Sequence, residues 1–444
     1  MFGSSHYLPA MKVFDVIVIG AGAAGVMAAG RAASLGKKVL LLEKMEKPLR
    51  KLRISGKGRG NITNVKPLDE FLKKVNGNAD FLRPSFNLFF NQELIQHINK
   101  IGVKTAVERG GRVFPTSQKA WDVAEALVKW IRKSGVELHC NAKVNRILFS
   151  NNVISGVEVS TKEGKMNISC KYVILTTGGA SYPATGSTGD GYKMAQQLGH
   201  SVTPIRPSLV PLETSSIAKY KLKGLSLRNI NVSIVDKGTG ATLDQEFGEL
   251  TFFDNGITGP IILRVSHTAV DAFMAQKKVL INLDLKPSLS ETMLKNRLLR
   301  ELESGQVDNT QALLRKLMPV KIIPFFAANA ELQLNTSPNP QVQDKIVKYL
   351  KSLNIPMTGY RPFSEAIATA GGISLDEVDS NTMQSKVIKG LYFAGEVLDV
   401  DADTGGYNLQ IAFSTGWLSG CCKDYFVKKQ QSNKLIVDKA TIKV

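Results

Sequence analysis

The chain has 444 residues, 43% of them hydrophobic and 21% charged, which excludes a disordered chain and allows two or three domains, or one large α/β domain carrying an insertion. Its net charge is +19, from 57 Lys plus Arg against 38 Asp plus Glu, a balance that favours an anionic ligand: a nucleotide, an acidic substrate, nucleic acid or a membrane surface. Four cysteines (Cys140, Cys170, Cys421 and Cys422) with no CxxC pair exclude a disulfide framework and fit a reducing compartment.

The first ten residues contain no Lys or Arg and are interrupted by Pro9, so they do not read as a leader, and a cytoplasmic protein is expected. The apolar run from Val13 to Ala29 contains Asp15, and four glycines precede Arg31, so it reads as strand, turn and helix rather than a membrane span. Val13–Ile19 is rich in β-branched residues, as a buried parallel strand is. It runs into Gly20-Ala21-Gly22-Ala23-Ala24-Gly25, a complete GxGxxG, and then into helical spacing from Val26 to Leu35, with Gly36 as the cap. Lys38–Leu42 is a second strand ending at Glu43. Gly20 allows the tight turn, Gly22 lets the backbone approach a pyrophosphate and Gly25 lets helix and strand pack. The helix N-terminus faces the phosphates, and Glu43 stands where a carboxylate accepts from an unphosphorylated ribose. FAD or NAD is therefore expected, and not NADP.

The next stretch decides for FAD. Residues 49–64 (LRKLRISGKGRGNITN) form a basic, glycine-rich loop with amide and hydroxyl side chains, where a nicotinamide dehydrogenase would continue with a helix. Such a loop can follow an extended ligand towards a ribityl chain and flavin ring. Further on, Lys171–Ala180 is a strand ending in Gly178-Gly179, followed by Tyr182 and a helix from Tyr192 to Leu198. Pro204 to Pro287 alternates as antiparallel strands, including Ile230–Val235 and Val279–Asp284. Ser290–Leu353 is helical by spacing, and Met357–Ala370 returns as strands. Gly390–Asp399 is a strand with an acidic turn carrying Glu396. Thr404-Gly405-Gly406-Tyr407-Asn408-Leu409 then opens a helix over Ile411–Gly420, whose N–H groups could stabilise charge on the flavin N1–C2=O edge.

These stretches carry a resemblance. GAGAAG, KLRISGKGRGNITN, GRVFPTSQKA, VILTTGGASYPATGSTGDGYKMA, GITGP and GLYFAGEVLDVDADTGGYNLQIAFSTG together resemble the bacterial flavoproteins labelled NAD(FAD)-utilising dehydrogenase or aminoacetone oxidase-like, which include BaiN-type enzymes. TGSTGDG is also similar to the fumarate reductase and aspartate oxidase superfamily. This chain has Gly60 where members often carry Cys. The resemblance implies an α/β fold: a Rossmann-type FAD-binding domain of the glutathione reductase and fumarate reductase kind, with an inserted β-barrel-like domain and a small helical domain. The expected boundaries are 1–203 and 373–444 for the FAD-binding domain, 204–287 and 355–372 for the β-rich domain, and 288–354 for the helical one.

The residues expected to hold FAD are Gly20, Gly22, Ala23, Ala24, Gly25, Glu43, Lys44, Lys51, Ser55, Gly56, Gly58, Arg59, Asn61, Thr63 and Asn64, then Val144, Thr177, Gly178 and Gly179, and then Gly395, Glu396, Gly405, Gly406, Tyr407, Asn408 and Leu409. Candidate catalytic residues are Arg59, Arg112 and Tyr182. Arg112 could bind a substrate carboxylate with its fork. There is no second GxGxxG, so NAD(P)H, if it is the donor, binds at the flavin face. His6, His97, His139, His200 and His267 have no metal spacing, and no metal is expected.

The expected activity is hydride transfer between flavin N5 and a small, anionic substrate. Two alternatives stand beside it: an RNA-modifying flavoprotein, motivated by the charge, and a flavin-binding sensor without turnover. The basic residues are spread along the chain, with Lys428, Lys429, Lys434 and Lys443 in a polar tail, so nucleic acid is the lesser expectation and a membrane partner is not expected.

Overall fold

The structure, a computed structural model, describes residues 13–425. The basic tail from Lys428 onward and His6 therefore lie outside the described residues. The chain divides into two units, one of residues 1–206 with 368–444 and one of residues 207–367, where the sequence placed the changes at 203/204 and 372/373.

The first unit is built on a parallel sheet. Strand β1 (Phe14–Ile19) leads through the glycine turn into helix α1 (Ala23–Ser34), and β2 (Val39–Leu42) returns beside β1 with Val16 opposite Val39. The helix begins three residues before the expected Val26 because Gly22 already serves as its N-cap. Helix α2 (Ala120–Lys133) and β3 (Glu137–His139) follow, with β3 parallel to β2. A meander of β4 (Lys143–Ser150), β5 (Val153–Thr161) and β6 (Gly164–Leu175) comes next. β6 serves two sheets. Its first half pairs antiparallel with β5, and its second half runs parallel between β1 and β7 (Leu391–Phe393). The parallel order is thus β3-β2-β1-β6-β7. The inner strands β1, β2 and the end of β6, with β7, are buried on both faces and read as near-continuous apolar runs rather than alternating ones, while the edge strand β3 is only half-buried. Helices α3 (Asp190–Gln197) and α4 (Tyr407–Ser419) complete the parts that matter for the site.

Helix α4 lies against α1 through glycine. A Cβ on Gly416 would stand 2.3 Å from the Ala24 carbonyl oxygen, and one on Gly420 2.4 Å from that of Ala28. Close packing of the two helices therefore depends on those positions.

In the second unit, Ser226–Asp236 pairs with Thr242–Phe253 and with Val279–Asp284 in a seven-stranded antiparallel sheet. Helices Pro260–Met274, Glu291–Glu303 and Pro340–Lys351 share one apolar core with it: Leu294, Leu298 and Val347 pack with Ile281, Leu283 and Ile355. Leu353, expected to end the helical stretch, instead opens a strand, Leu353–Pro356, because its apolar partner there is Leu283 of the sheet. Among the described residues no helix is long and apolar enough to cross a membrane.

Candidate functional site

Apart from GITGP (256–260), the glycine-rich stretches singled out in the sequence lie in the first unit. At the end of β1, Gly20 has φ +98°, and a Cβ there would meet the Thr176 carbonyl oxygen at 2.8 Å. Gly25 is packed harder still, since a Cβ would sit 1.9 Å from the Gly20 carbonyl oxygen. Gly22 differs, because a Cβ there meets nothing within 4 Å. That open space lies at the N-terminus of α1, where the unsatisfied N–H groups and the helix dipole favour a phosphate. Beside it, Glu43 accepts the Ala21 N–H on Oε2 at 2.8 Å and the Met45 N–H on Oε1 at 2.9 Å. Burial lifts this carboxyl above its usual range, against the pull of those two backbone bonds. Lys44 is tied to the loop before α3, donating to Thr188 Oγ1 at 2.5 Å and Asp190 Oδ2 at 2.7 Å.

The stretch from 49 to 64 contains a single helical turn, Arg50–Arg53, and then a tight turn in which Gly56, Lys57 and Gly58 all have positive φ. From it Lys51 Nζ reaches Glu396 Oε2 at 2.6 Å and Ser181 Oγ at 2.5 Å. The other oxygen of Glu396 accepts from Ser181 Oγ at 2.8 Å and from the Thr369 N–H at 2.9 Å. Thr369 Oγ1 in turn accepts from the Ala180 and Ser181 N–H groups. Glu396, expected to help hold FAD, is thus also the knot joining the segments that carry Lys51, Ser181 and Thr369. Ser181, inside the quoted VILTTGGASYPATGSTGDGYKMA, and Thr369, outside every quoted stretch, were not singled out in the sequence. Only their place beside the Gly178-Gly179 and Gly371-Gly372 pairs hints at them.

Thr63 and Asn64 hold the third segment. Thr63 Oγ1 donates to Gln410 Oε1 at 2.5 Å, and Asn64 Nδ2 donates to the Gly405 carbonyl at 3.3 Å. Gly406 (φ +99°) lies so close that a Cβ would stand 2.4 Å from the Thr63 carbonyl oxygen. Tyr407 packs edge-on against Phe71 with centroids 4.6 Å apart, Asn408 brackets the Ala402 backbone, and Leu409 is half-buried in the core. Their side chains serve the fold, which leaves their backbone N–H groups at the start of α4 to face a ligand. Ala23 lies half-buried in the first turn of α1, and the Ala24 Cβ is the atom a Cβ on Gly395 would meet, at 2.9 Å. Val144 is buried in the core of β4.

The three candidate catalytic residues are placed differently. Arg59 pairs with Glu108, donates to Gln118 Oε1 at 2.5 Å and stacks 4.2 Å from the Phe114 ring centroid. Arg112, on the same ring at 5.7 Å, is exposed, and its Nε donates to the Arg109 carbonyl. Tyr182 sits in the left-handed region at φ 51°, a strained conformation for a tyrosine that follows the buried Ser181. Gly60, at φ +81°, would put a Cβ 2.9 Å from Ala120 Cα, so no side chain fits there without movement of α2.

FAD fits these residues. Among the described residues, the buried Ser55 Oγ, Asn61 Oδ1 and Thr177 Oγ1 have no hydrogen-bond partner; Ser55 and Asn61 lie in the 49–64 stretch and Thr177 next to the Gly178-Gly179 pair. Buried polar atoms left without partners are rare, and here they sit where an extended polar ligand would supply them.

The family described as HI0933-like protein Rossmann domain matches residues 14–422. The chain belongs to this family. Its members are FAD-dependent oxidoreductases with a Rossmann-type nucleotide domain. Among curated relatives, the Escherichia coli protein called ribosomal RNA dihydrouridine synthase is 30% identical, over 94% of this chain and 100% of its own length. The Clostridium scindens 3-dehydro-bile acid delta(4,6)-reductase is 27% identical, over 91% of this chain and 97% of its own. A solved quinol–fumarate reductase is 18% identical with a TM-score of 0.49, over 92% of this chain and 71% of that one.

Proposed function

We propose that this chain is a reductase that uses FAD to add hydrogen across a carbon–carbon double bond conjugated to a carbonyl, in a small, anionic substrate. The observation that carries the cofactor part of the reading is the set of unpartnered buried atoms, Ser55 Oγ, Asn61 Oδ1 and Thr177 Oγ1, in two of the segments expected to follow an extended cofactor. The double-bond chemistry is supported by the relatives, since both of the names above describe reductions of unsaturated rings. When bound and reduced by the nicotinamide, FAD would supply the hydride from flavin N5, and the protein's own residues would position the substrate and deliver one proton.

In this reading Gly22 and the start of α1 hold the pyrophosphate, Glu43 the ribose, the 55–64 segment and Glu396 the ribityl side, and the start of α4 the flavin N1–C2=O edge. Arg112, exposed and free to turn its two terminal amino groups outward, receives the substrate anion. Arg59, already committed to Glu108 and Gln118, orients the Phe114 face under it. Tyr182 Oη is the proton donor to the substrate carbon. NADH or NADPH is the proposed electron donor, approaching the same face.

The test is the visible spectrum of the purified protein, followed by NADH or NADPH without oxygen. Bleaching of oxidised flavin bands supports a nicotinamide-driven reductase. Persistent bands reject the nicotinamide donor, and a colourless protein that cannot be reconstituted with FAD rejects the whole reading.

A second reading, reduction of uridine in RNA, is favoured by one feature of the surface. The described part of the first unit carries 32 Lys and Arg against 22 Asp and Glu, and an exposed tryptophan stands among them. Salt-sensitive retention of RNA through purification supports it, and clean elution at low salt counts against it.

A further inference from the structure

We infer that the surface made by residues 47–59 and 109–121 is a landing strip for single-stranded RNA, with Trp121 as its base-stacking platform. This rests on the second reading above and adds the residues that would hold the strand.

The two stretches carry nine Lys and Arg and no Asp or Glu. They are brought together by direct contact. Gly60 packs beneath Ala120, Arg59 reaches Glu108 and Gln118, and Arg59 and Arg112 share the Phe114 ring. Three of the acidic neighbours are occupied, Glu46 by Arg50, Glu108 by Arg59 and Glu125 by Arg53, and the fourth, Asp122, is half-buried in the first turn of α2 directly after Trp121. Lys47, Lys57, Arg109, Arg112 and Lys119 are exposed, and none of them has an acidic partner among the described contacts.

Trp121 is 49% exposed at the start of α2. Single exposed apolar side chains are common, and it is the charged setting of this one that points to a ligand. One side of the indole is backed by the Arg53 guanidinium, 4.0 Å from the ring centroid, and Arg53 is itself fixed by Glu125 at 3.0 Å. Lys47 Nζ stands 5.8 Å from the same ring. An indole buttressed by Arg53 with the unpaired Lys47 ammonium beside it suits a base stacked next to a backbone phosphate, the arrangement single-strand binders use. The strip also includes Arg112 and adjoins the 55–64 segment, so a strand lying on it would present a nearby base to the proposed cofactor site. A small anionic substrate would need Arg112 and has no use for Trp121 or Lys119.

The test uses the full chain loaded with FAD and a fluorescently labelled uridine-rich RNA oligonucleotide, titrated at several salt concentrations. The wild type should bind with salt-dependent affinity. Trp121→Ala should weaken binding by about five-fold or more, the lower end for loss of one stacked base, while Trp121→Phe keeps most of it. Lys47→Gln with Lys119→Gln should flatten the slope of log affinity against log salt by about 1.4, two phosphate contacts on a single strand. All variants should retain the flavin spectrum. Wild-type binding that neither Trp121→Ala nor the lysine pair disturbs would overturn this surface and leave the RNA reading standing. A wild type that does not bind the oligonucleotide at low salt would overturn both.

Discussion

Three glycines in one turn make opposite demands, and that gives a sharp test of the nucleotide site. Gly22→Ala adds a methyl group where nothing lies within 4 Å, at a residue with an ordinary φ of −79°. Losing a favoured N-cap residue costs a few tenths of a kcal/mol to about 1, and restricting the unfolded chain returns a similar amount. The apoprotein's stability should therefore stay within about 1 kcal/mol of the wild type. The same methyl group occupies the space assigned to the pyrophosphate, so FAD affinity should fall at least ten-fold, about 1.4 kcal/mol. Gly25→Ala reverses the pattern. Its methyl carbon would lie 1.9 Å from a backbone oxygen that cannot turn away, so strand and helix must separate. Overpacking of that kind costs about 1–3 kcal/mol or more. Urea unfolding of the apoproteins and FAD titration followed by flavin fluorescence separate the two quantities. A Gly22→Ala protein that binds FAD like the wild type would show that the pyrophosphate does not lie against this turn. A Gly25→Ala protein with unchanged stability would refute the packing argument.

Three further outcomes are expected. Burial raises the Glu43 carboxyl above its ordinary value of 4.5, so its stabilising share is full below that value and is lost as pH rises through the raised one; urea midpoints should shift in favour of wild type over Glu43→Gln as pH falls from about 7 to about 4, and a flat difference would refute this. His97 titrates the opposite way: burial beside Trp130 and Trp417, and then the Lys100 charge, push it down to about 4, so it stabilises the fold above the usual histidine range and that share is lost on acidification. His97→Phe should shed about 3 kcal/mol of the acid sensitivity between about pH 6.5 and 4, and an unchanged acid limb in urea titrations would contradict it. Breaking the knot with Glu396→Gln should cost about 1–3 kcal/mol, and a double-mutant cycle with Lys51→Met should show coupling of at least about 0.5 kcal/mol, where zero coupling would mean that the 2.6 Å pair contributes nothing.

The nucleotide turn was legible because its requirements are local. Gly20 and Gly25 answer to backbone atoms a few residues away in the chain or in the neighbouring strand, and the spacing of strand, glycines, helix and acid announces them. Glu43 was legible for the same reason, since it ends the strand that pairs with β1. The partners of Arg59 were not. Glu108 and Gln118 lie 49 and 59 residues further on, and no periodicity links them to the loop. Nor could spacing reveal that Glu396 would join Lys51, 345 positions away, through Ser181 and Thr369. The shift of Leu353 from helix to strand has a similar cause. Its helical spacing is real, but Leu283 of the neighbouring strand decides where it goes.

The pairing of β6 with β7 has a consequence for how the protein is made. Val173 faces Leu391 across the sheet, so more than two hundred residues must leave the ribosome between one strand and its neighbour. At about 5–20 residues per second that is a delay of roughly ten to forty seconds, during which the nascent chain exposes an unpaired, apolar strand edge. The glycine pair at 405–406 and helix α4 emerge later still. A cofactor meeting the growing chain would find only the phosphate end of its site. A site that needs the start of α4 is complete only after residue 407 has emerged, and the interval before that is when a chaperone would have work to do.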